Sequence, residues 1–227
     1  MRKLIIFDFD GTLADTREII VRTNQEVQRR MGYPITEEAD IMATVGLVLE
    51  ECILTMYPSL PREELPAWTA MYREVFNSLK GKIIPKLFPY VKETMETLWE
   101  RGFVLSVASS RGNESLKDFL RDMGIAPFIS YVLGAEDVKQ GKPHPEPVLK
   151  TLRDLHFDAS QALVVGDMPV DIQMGRGAGT KTCGVSYGNS GRDALLQSGA
   201  DFVIDDFREL LSLTSIHHYG LARTTPT

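Results

Sequence analysis

The stretch that decides the fold is KLIIFDFDGTL, from Lys3 to Leu13. Its apolar run predicts a buried strand, which ends in two aspartates one residue apart, Asp8 and Asp10. Side chains alternate along an extended chain, so both carboxylates point the same way. Like charges repel unless a cation lies between them, and oxygen ligands suit Mg²⁺. These residues predict a Mg²⁺ site at a strand's carboxyl end, and a polar turn through Asp10 and Gly11 is the alternative.

The bulk composition is that of an ordinary globular protein. The 227 residues are 43% hydrophobic and 25% charged, with a net charge of −6, which argues against nucleic acid as a partner. No stretch resembles a secretion signal or a membrane span. The two cysteines, Cys52 and Cys183, lack metal-type spacing and are expected to be reduced thiols. We therefore expect a cytoplasmic protein that binds neither nucleic acid nor membranes.

Apolar runs alternate with helical patterns over most of the chain. After the first strand, the runs predict strands at Val104–Ala108, Ile129–Leu133, Ala162–Val165, Thr182–Val185 and Phe202–Ile204. Helices are predicted at Tyr90–Arg101, Glu114–Met123, Glu146–Leu155, Asp171–Gly177 and Phe207–Leu213. Strands that alternate with helices predict the α/β class, with a doubly wound parallel sheet.

The segment 15–82 breaks this alternation because only helical patterns occur in it. They predict helices at Glu18–Met31, Glu37–Thr44, Val48–Met56 and Glu63–Leu79. The segment is too long for one crossover helix and predicts an inserted α-helical cap domain that acts as a lid. The predicted division is a core of residues 1–14 and 83–213, a cap of 15–82 and a tail of 214–227. His217 and His218 in the tail are expected to be solvated.

Polar residues of possible functional importance occur at three more places, namely after two predicted strands and in one loop. The hydroxyls of Ser109 and Ser110 follow a strand and suit a phosphate oxygen, although helix capping is the better explanation for this segment taken alone. Lys142 precedes two prolines that stiffen its loop, so it would lose little entropy on binding an anion; an ordinary surface lysine is the alternative. Asp167 ends a strand, and Asp171 lies four residues further along the chain. If a helix begins between them, both carboxylates face the same opening at the end of the strand. Their joint occurrence in this order predicts an active site.

These residues resemble the four motifs of the haloacid dehalogenase-like (HAD) superfamily. The matching residues are Asp8-Phe-Asp10-Gly11-Thr12-Leu13, Ser109, Lys142 and Gly166-Asp167-x-x-x-Asp171. The helical insert resembles the small cap of the phosphoglycolate phosphatase and β-phosphoglucomutase branch. The resemblance covers the chain apart from its tail, and it implies a Rossmann-like core with an inserted cap.

The resemblance also implies a role for each motif residue. Asp8 would be the nucleophile that forms an aspartyl-phosphate, and Asp10 the general acid/base. Mg²⁺ would be bound by Asp8, the backbone carbonyl of Asp10 and Asp167, while Asp171 would support the metal waters or Lys142. The phosphoryl oxygens would be held by Ser109, Ser110 and Lys142.

Asp10 favours phosphoryl transfer, because the dehalogenases of this superfamily lack an aspartate two residues after the nucleophile. A phosphotransferase of the β-phosphoglucomutase type is an alternative, but those enzymes carry a cap histidine soon after the first motif, and no histidine precedes His144 here. This favours an enzyme that hydrolyses a small phosphate monoester, with phosphoglycolate the first choice and pyrophosphate also open. A non-enzymatic metabolite-binding module is disfavoured because every catalytic position is filled.

Substrate specificity is expected to come from the cap. The loop Thr44–Leu47, with Gly46 at its centre, resembles the one that dips toward the active site in this branch, and its small residues suit a short substrate. Arg17, Arg111 and Lys82 are candidate cations for a substrate carboxylate. The expected partner is a small phosphorylated metabolite, and the sequence leaves monomer and homodimer open.

Overall fold

Eight strands form in the computed structural model, which describes residues 3–215. They are β1 Leu4–Phe7, β2 Ala14–Asp15, β3 Lys86–Leu87, β4 Val104–Ala108, β5 Ile129–Leu133, β6 Ala162–Gly166, β7 Lys181–Val185 and β8 Phe202–Ile204. Six of them form a parallel sheet in the order β5-β4-β1-β6-β7-β8, and β2 pairs with β3 in a separate antiparallel ribbon. The predicted α/β class with a parallel sheet is confirmed.

Between residues 3 and 215, ten α-helices connect these strands. They are α1 Arg17–Met31, α2 Glu38–Met42, α3 Leu49–Met56, α4 Leu65–Lys80, α5 Val91–Glu100, α6 Asn113–Asp122, α7 Glu146–Leu155, α8 Pro169–Gly177, α9 Arg192–Gln197 and α10 Glu209–Ser215. The bounds of the nine predicted helices are met to within about two residues, whereas α9 was not predicted. Thr214 and Ser215 close α10, whereas the rest of the predicted tail, with His217 and His218, lies outside the described residues.

The register of the sheet brings three strand ends together. Phe7 of β1 lies beside Val107 of β4 on one side and Val165 of β6 on the other. The backbone N–H of Asp8 then donates to the carbonyl of Val165 at 2.8 Å, one residue beyond the strand. The residues that follow these three strands therefore line the same edge of the sheet.

Both faces of the sheet are buried. In β1, Ile5 and Phe7 belong to the hydrophobic cluster on one face, whereas Leu4 and Ile6 belong to the cluster on the other. An unbroken apolar strand is typical of a parallel sheet covered by helices on both sides. The strand end beyond Phe7 is consequently the first place where this segment can carry polar groups.

Helices α1–α4, here called the helical insert, lie between β2 and β3. Their own hydrophobic cluster is formed by Val27, Ile53, Leu60, Leu65, Trp68 and Val75. The chain leaves and re-enters the sheet region through β2 and β3, where Ala14 pairs with Leu87 and Asp15 with Lys86. This two-residue ribbon was not predicted, because two residues carry no periodic signal. From residue 3 to residue 215, no helix has both the length and the apolar character needed to cross a membrane.

Candidate active site

A buried lysine lies among three carboxylates at the carboxyl edge of the sheet. Lys142 is 2% exposed, and its Nζ contacts Oδ1 of Asp8 and, at 2.7 Å, Oδ1 of Asp171. Asp8, Asp167 and Asp171 each place a carboxylate oxygen within 4.8 Å of the others. Asp8 follows β1, Asp167 follows β6 and Asp171 lies in the first turn of α8. The fold thus gathers four of the predicted site residues.

Burial dominates the electrostatics of this cluster. It raises the pKa of Asp8 from 3.8 to about 7, with Lys142 opposing the shift and the Asp171 and Asp10 charges adding to it. Burial and the charges of Asp8 and Asp171 likewise hold the pKa of Asp167 well above its usual range. For Lys142, burial favours the neutral amine, but the two contacting carboxylates outweigh it and raise the pKa. Three acids around one ammonium leave negative charge uncompensated.

The donor set fits a divalent cation that prefers oxygen ligands. The carboxylates of Asp8 and Asp167 are buried at 5% and 0% exposure, and burial is the main reason why both pKa values are raised. One further positive charge between them would favour their ionised forms. Asp171 is engaged with Lys142 and with the backbone N–H of Met168 at 3.0 Å. Asp8 and Asp167 are therefore the carboxylates best placed to hold a divalent cation.

The loop after β1 is shaped around Asp167. Thr12 Oγ1 donates to Asp167 Oδ1 at 3.1 Å, and the backbone N–H of Asn189 donates to Oδ2 at 2.7 Å. Gly11 has φ +88°, and a Cβ there would overlap the Asp167 carboxylate. Only glycine meets both the positive φ and the close approach, which explains the Gly in the first motif.

Asp10 lies apart from the lysine cluster. Its Oδ1 accepts from Arg111 Nη2 at 2.5 Å and from Thr16 Oγ1 at 2.7 Å, and Arg111 Nε lies 3.1 Å from its Oδ2. Arg111 comes from the loop between β4 and α6, and Thr16 directly precedes α1. The second aspartate of the first motif is therefore tied to both the core and the start of the helical insert.

Three aromatic rings surround the Arg111 guanidinium. It lies 5.9 Å from the ring centroid of Phe9, 5.2 Å from that of Phe76 and 5.0 Å from that of Phe119. The Arg111 side chain is 8% exposed. Burial lowers its pKa, but the adjacent Asp10 carboxylate outweighs this and the net shift is upward. Sequence reasoning named Arg111 as a candidate cation but did not predict this ion pair or the rings.

The two serines after β4 differ in their surroundings. Ser109 is buried, and its Oγ accepts a hydrogen bond from the backbone N–H of Arg111 at 3.1 Å. Ser110 Oγ instead donates to the carbonyl of Gly46 at 2.5 Å. Ser109 therefore lies at the strand end beside Asp8, whereas Ser110 connects the core to the helical insert.

A cavity of about 270 Å³ lies between the sheet edge and the insert. Predicted site residues in its lining are Asp8, Asp10, Gly46, Ser109, Ser110 and Arg111. Arg17 is not in this lining. It is the first residue of α1, and its exposed side chain pairs with Glu38 at 3.6 Å outside the cavity. Sequence reasoning missed several polar cavity residues of α4, namely Tyr72, Arg73, Asn77 and Lys80. The steps of four residues from Arg73 to Asn77 and of three from Asn77 to Lys80 place these residues on one side of the helix, but nothing in the sequence tells which cavity that side faces.

Comparison with known proteins agrees with this geometry. Residues 5–185 match the model of the haloacid dehalogenase-like hydrolase family. The chain belongs to this family. A phosphoglycolate phosphatase of Vibrio cholerae is 32% identical over 221 residues, covering 94% of this chain and 97% of that protein. Pyrophosphatase PpaX of Bacillus pumilus is 31% identical over 209 residues, covering 92% and 94%.

Solved structures of HAD proteins share the whole architecture. A predicted phosphoglycolate phosphatase from Haemophilus somnus superposes with a TM-score of 0.85 at 27% identity, covering 94% of this chain and 98% of that one. Among the relatives found by sequence, the probable phosphatase IndB of Dickeya dadantii is 34% identical over 217 residues, with 93% of each chain covered. The protein is thus a HAD-family phosphatase, which confirms the predicted family and enzyme class.

Proposed function

We propose that this HAD phosphatase is a Mg²⁺-dependent enzyme that hydrolyses a small phosphate monoester through an aspartyl-phosphate on Asp8. The observation that carries the proposal is the contact between Asp8, which lines the cavity, and Lys142, which is buried behind it. A carboxylate meets strong repulsion from a phosphate dianion unless fixed positive charge offsets it. The buried Lys142 supplies such a charge, and Oδ1 of Asp171, 2.7 Å from its Nζ, holds it in position.

Positive charge and hydrogen-bond donors prepare the phosphoryl site. Lys142 and the hydroxyl of Ser109 would hold the phosphoryl oxygens while Asp8 attacks phosphorus. Bound Mg²⁺, held by Asp8, Asp167 and the backbone carbonyl of Asp10, would neutralise charge on the phosphoryl group. Ser110 is proposed to contribute a hydroxyl at the edge of the phosphoryl site. In the structure this hydroxyl donates to the backbone carbonyl of Gly46 in the insert.

Asp10 is proposed as the general acid/base. It would protonate the leaving oxygen as the phosphorus–oxygen bond breaks and would then remove a proton from the water that hydrolyses the aspartyl-phosphate. The helical insert is proposed to act as the cap domain, as residues 15–82, and to exclude bulk water from this step when it is closed.

Phosphoglycolate is the substrate we propose first. The cavity of about 270 Å³ is below the usual range for drug-sized ligands, about 300–1,000 Å³, and therefore suits a short molecule. Pyrophosphate is the second candidate, since a pyrophosphatase is 31% identical to this chain over nearly its whole length. The described chain holds both cysteines as free thiols, as expected for the reducing cytoplasm, where we propose that it acts.

The experiment measures phosphate release from phosphoglycolate, pyrophosphate and sugar phosphates by the purified protein, with Mg²⁺ or with EDTA. Asp8→Asn is compared with Asp193→Asn, which changes an exposed aspartate of α9. We expect Mg²⁺-dependent turnover that Asp8→Asn abolishes and Asp193→Asn retains. Intact-protein mass spectrometry after an acid quench would show the phosphorylated enzyme as a mass increase of one phosphoryl group. Turnover of Asp8→Asn at the parent rate would contradict the proposal.

A further inference from the structure

The wall that the helical insert presents to the cavity is largely apolar. Its apolar side chains are those of Ile20, Val45, Leu47, Leu49 and Phe76. The proposed phosphoryl site lies on the other side of the cavity, at the sheet edge, so the leaving group of a bound ester extends toward this wall. A polar group on the wall that has no partner in the protein is therefore available to the leaving group.

Most hydrogen-bond donors of this wall already have a partner in the protein. Asn24 Nδ2 donates to the carbonyl of Ile20 at 2.9 Å, and Thr44 Oγ1 donates to the carbonyl of Ile41 at 2.8 Å. The thiol of Cys52 donates to the carbonyl of Thr44 at 3.2 Å. These contacts satisfy donors on α1, on α3 and in the loop that precedes α3 without any substrate.

The donors of α4 lead to one unpartnered group. Lys80 contacts Asp118 of the core, and Arg73 and Asn77 are exposed. Tyr72 lines the same cavity and is less exposed than these two, and no hydrogen-bond partner of its hydroxyl occurs in the described part of the chain. A partly buried donor is unfavourable unless water or a ligand accepts from it.

The ring of Tyr72 is held in place by its packing. It lies against the insert's own hydrophobic cluster and against the cluster on one face of the sheet, and it stacks on Phe76 with 6.4 Å between the ring centroids. Burial raises the pKa of the Tyr72 hydroxyl, although the charge of Arg111 opposes the shift, so the hydroxyl keeps its proton at neutral pH. A donor fixed in this way loses little conformational entropy when it binds a ligand.

We infer that the Tyr72 hydroxyl donates a hydrogen bond to an oxygen of the leaving group, so that the enzyme prefers compact phosphate esters with one acceptor oxygen on a short carbon segment. This inference rests on the proposed function and names its substrate class. A neutral hydroxyl oxygen serves as well as a carboxylate, because an O–H donor requires a lone pair and not a charge. Phosphoglycolate belongs to this class, whereas a sugar phosphate would place further hydroxyls against the apolar wall without partners.

The test compares kcat/KM for phosphoglycolate, 2-hydroxyethyl phosphate and propyl phosphate, which carries a methyl group in place of the second hydroxyl. Wild type is expected to prefer phosphoglycolate to propyl phosphate. Tyr72→Phe is expected to lower that preference about 20-fold, and to lower the preference for 2-hydroxyethyl over propyl phosphate about fivefold. The effect is larger for phosphoglycolate because hydrogen bonds to charged acceptors are stronger.

Tyr33→Phe is the matched control, since it makes the same change elsewhere on the insert. The Tyr33 hydroxyl donates to Glu64 at 2.9 Å, and Tyr33 is not in the lining of the cavity. Both preferences are expected to stay within about twofold of wild type in this variant. The Tm of Tyr72→Phe is expected to match that of wild type, because its hydroxyl has no protein partner to lose.

Several results would overturn the inference while leaving the phosphatase intact. Equal losses of Tyr72→Phe on all three esters, with a lowered Tm, would show that the hydroxyl supports the fold. Unchanged preferences would show that it does not reach the leaving group. A loss for phosphoglycolate without one for 2-hydroxyethyl phosphate would show recognition of charge, and an equal effect of Tyr33→Phe would attribute the change to the insert as a whole. No Mg²⁺-dependent hydrolysis of any phosphate ester would refute the proposed function and this inference with it.

Discussion

Replacing Asp8, the proposed nucleophile, should make the metal-free protein more stable while abolishing its turnover. Asp8 is buried, and its pKa is raised from 3.8 to about 7, first by desolvation and then by the Asp171 and Asp10 charges, with Lys142 opposing. At about 1.4 kcal/mol per pKa unit, ionising Asp8 costs the folded state about 4 kcal/mol. Asparagine has nearly the same shape as aspartate but cannot ionise, so the Asp8→Asn variant lacks this unfavourable free energy.

The sign of the pH dependence follows from the raised pKa. Between about pH 4 and pH 7 the unfolded chain has already released the Asp8 proton, whereas the folded protein still binds it. The free energy of unfolding of the wild type should therefore fall as the pH rises through this range. Asp8→Asn lacks this contribution, so its advantage should be small at pH 4 and approach about 4 kcal/mol at pH 8.

The assay is urea-induced unfolding in EDTA at pH 5 and pH 8, followed by circular dichroism. The advantage of Asp8→Asn at pH 5 should be less than half of that at pH 8, and Asp193→Asn should follow the wild type at both. Adding Mg²⁺ at pH 8 should stabilise the wild type more than Asp8→Asn, because a ligand that binds only the folded state raises its stability. The reasoning is refuted if Asp8→Asn is no more stable than wild type in EDTA at pH 8.

Three further changes test the other parts of the site. Asp10→Asn should keep Mg²⁺ binding in isothermal titration, since only the backbone carbonyl of Asp10 is the proposed ligand, and should slow turnover; lost Mg²⁺ affinity would contradict its role as acid/base. Ca²⁺ should bind but not support phosphate release, because its looser coordination suits both oxygens of Asp8; equal rates with Ca²⁺ and Mg²⁺ would contradict this. Gly46→Phe should lower kcat/KM and the Tm together, because Gly46 has φ +101° and its Cβ would lie 2.9 Å from Val170 Cγ2, a strain of about 1–3 kcal/mol; unchanged kinetics would show that this loop does not affect the active site.

The sheet edge could be predicted because its signals are local. A buried strand such as β1 must be apolar until it ends, so Asp8 and Asp167 identify their strand ends from sequence alone. Parallel pairing in register then places them side by side, as β1 and β6 show. The residues alone gave Lys142 no partner, whereas the resemblance implied that Asp171 supports the metal waters or Lys142; in the structure Lys142 contacts both Asp8 and Asp171.

The surroundings of Arg111 could not be predicted in this way. Phe76 lies on α4 of the insert and Phe119 on α6 of the core, and they meet at the guanidinium only after the insert has packed on the sheet. Arg17 shows the opposite case. It is close in sequence to Asp10, yet the helix that begins at this residue directs it to Glu38 on the outside. Such contacts depend on how elements pack, which spacing along the chain does not encode.

The separate hydrophobic cluster of the helical insert has a consequence for how this protein can diversify. Residues such as Trp68 and Ile53 form a hydrophobic cluster within the insert, and the exposed polar residues of α4 that face the cavity are not part of that cluster. Arg73 and Asn77 lie on the same helix as Trp68, but they are exposed and line the cavity. Laboratory evolution confined to such positions can explore new substrates while β1 and β6 keep the phosphate chemistry unchanged, so a new specificity need not be acquired at the expense of the catalytic centre.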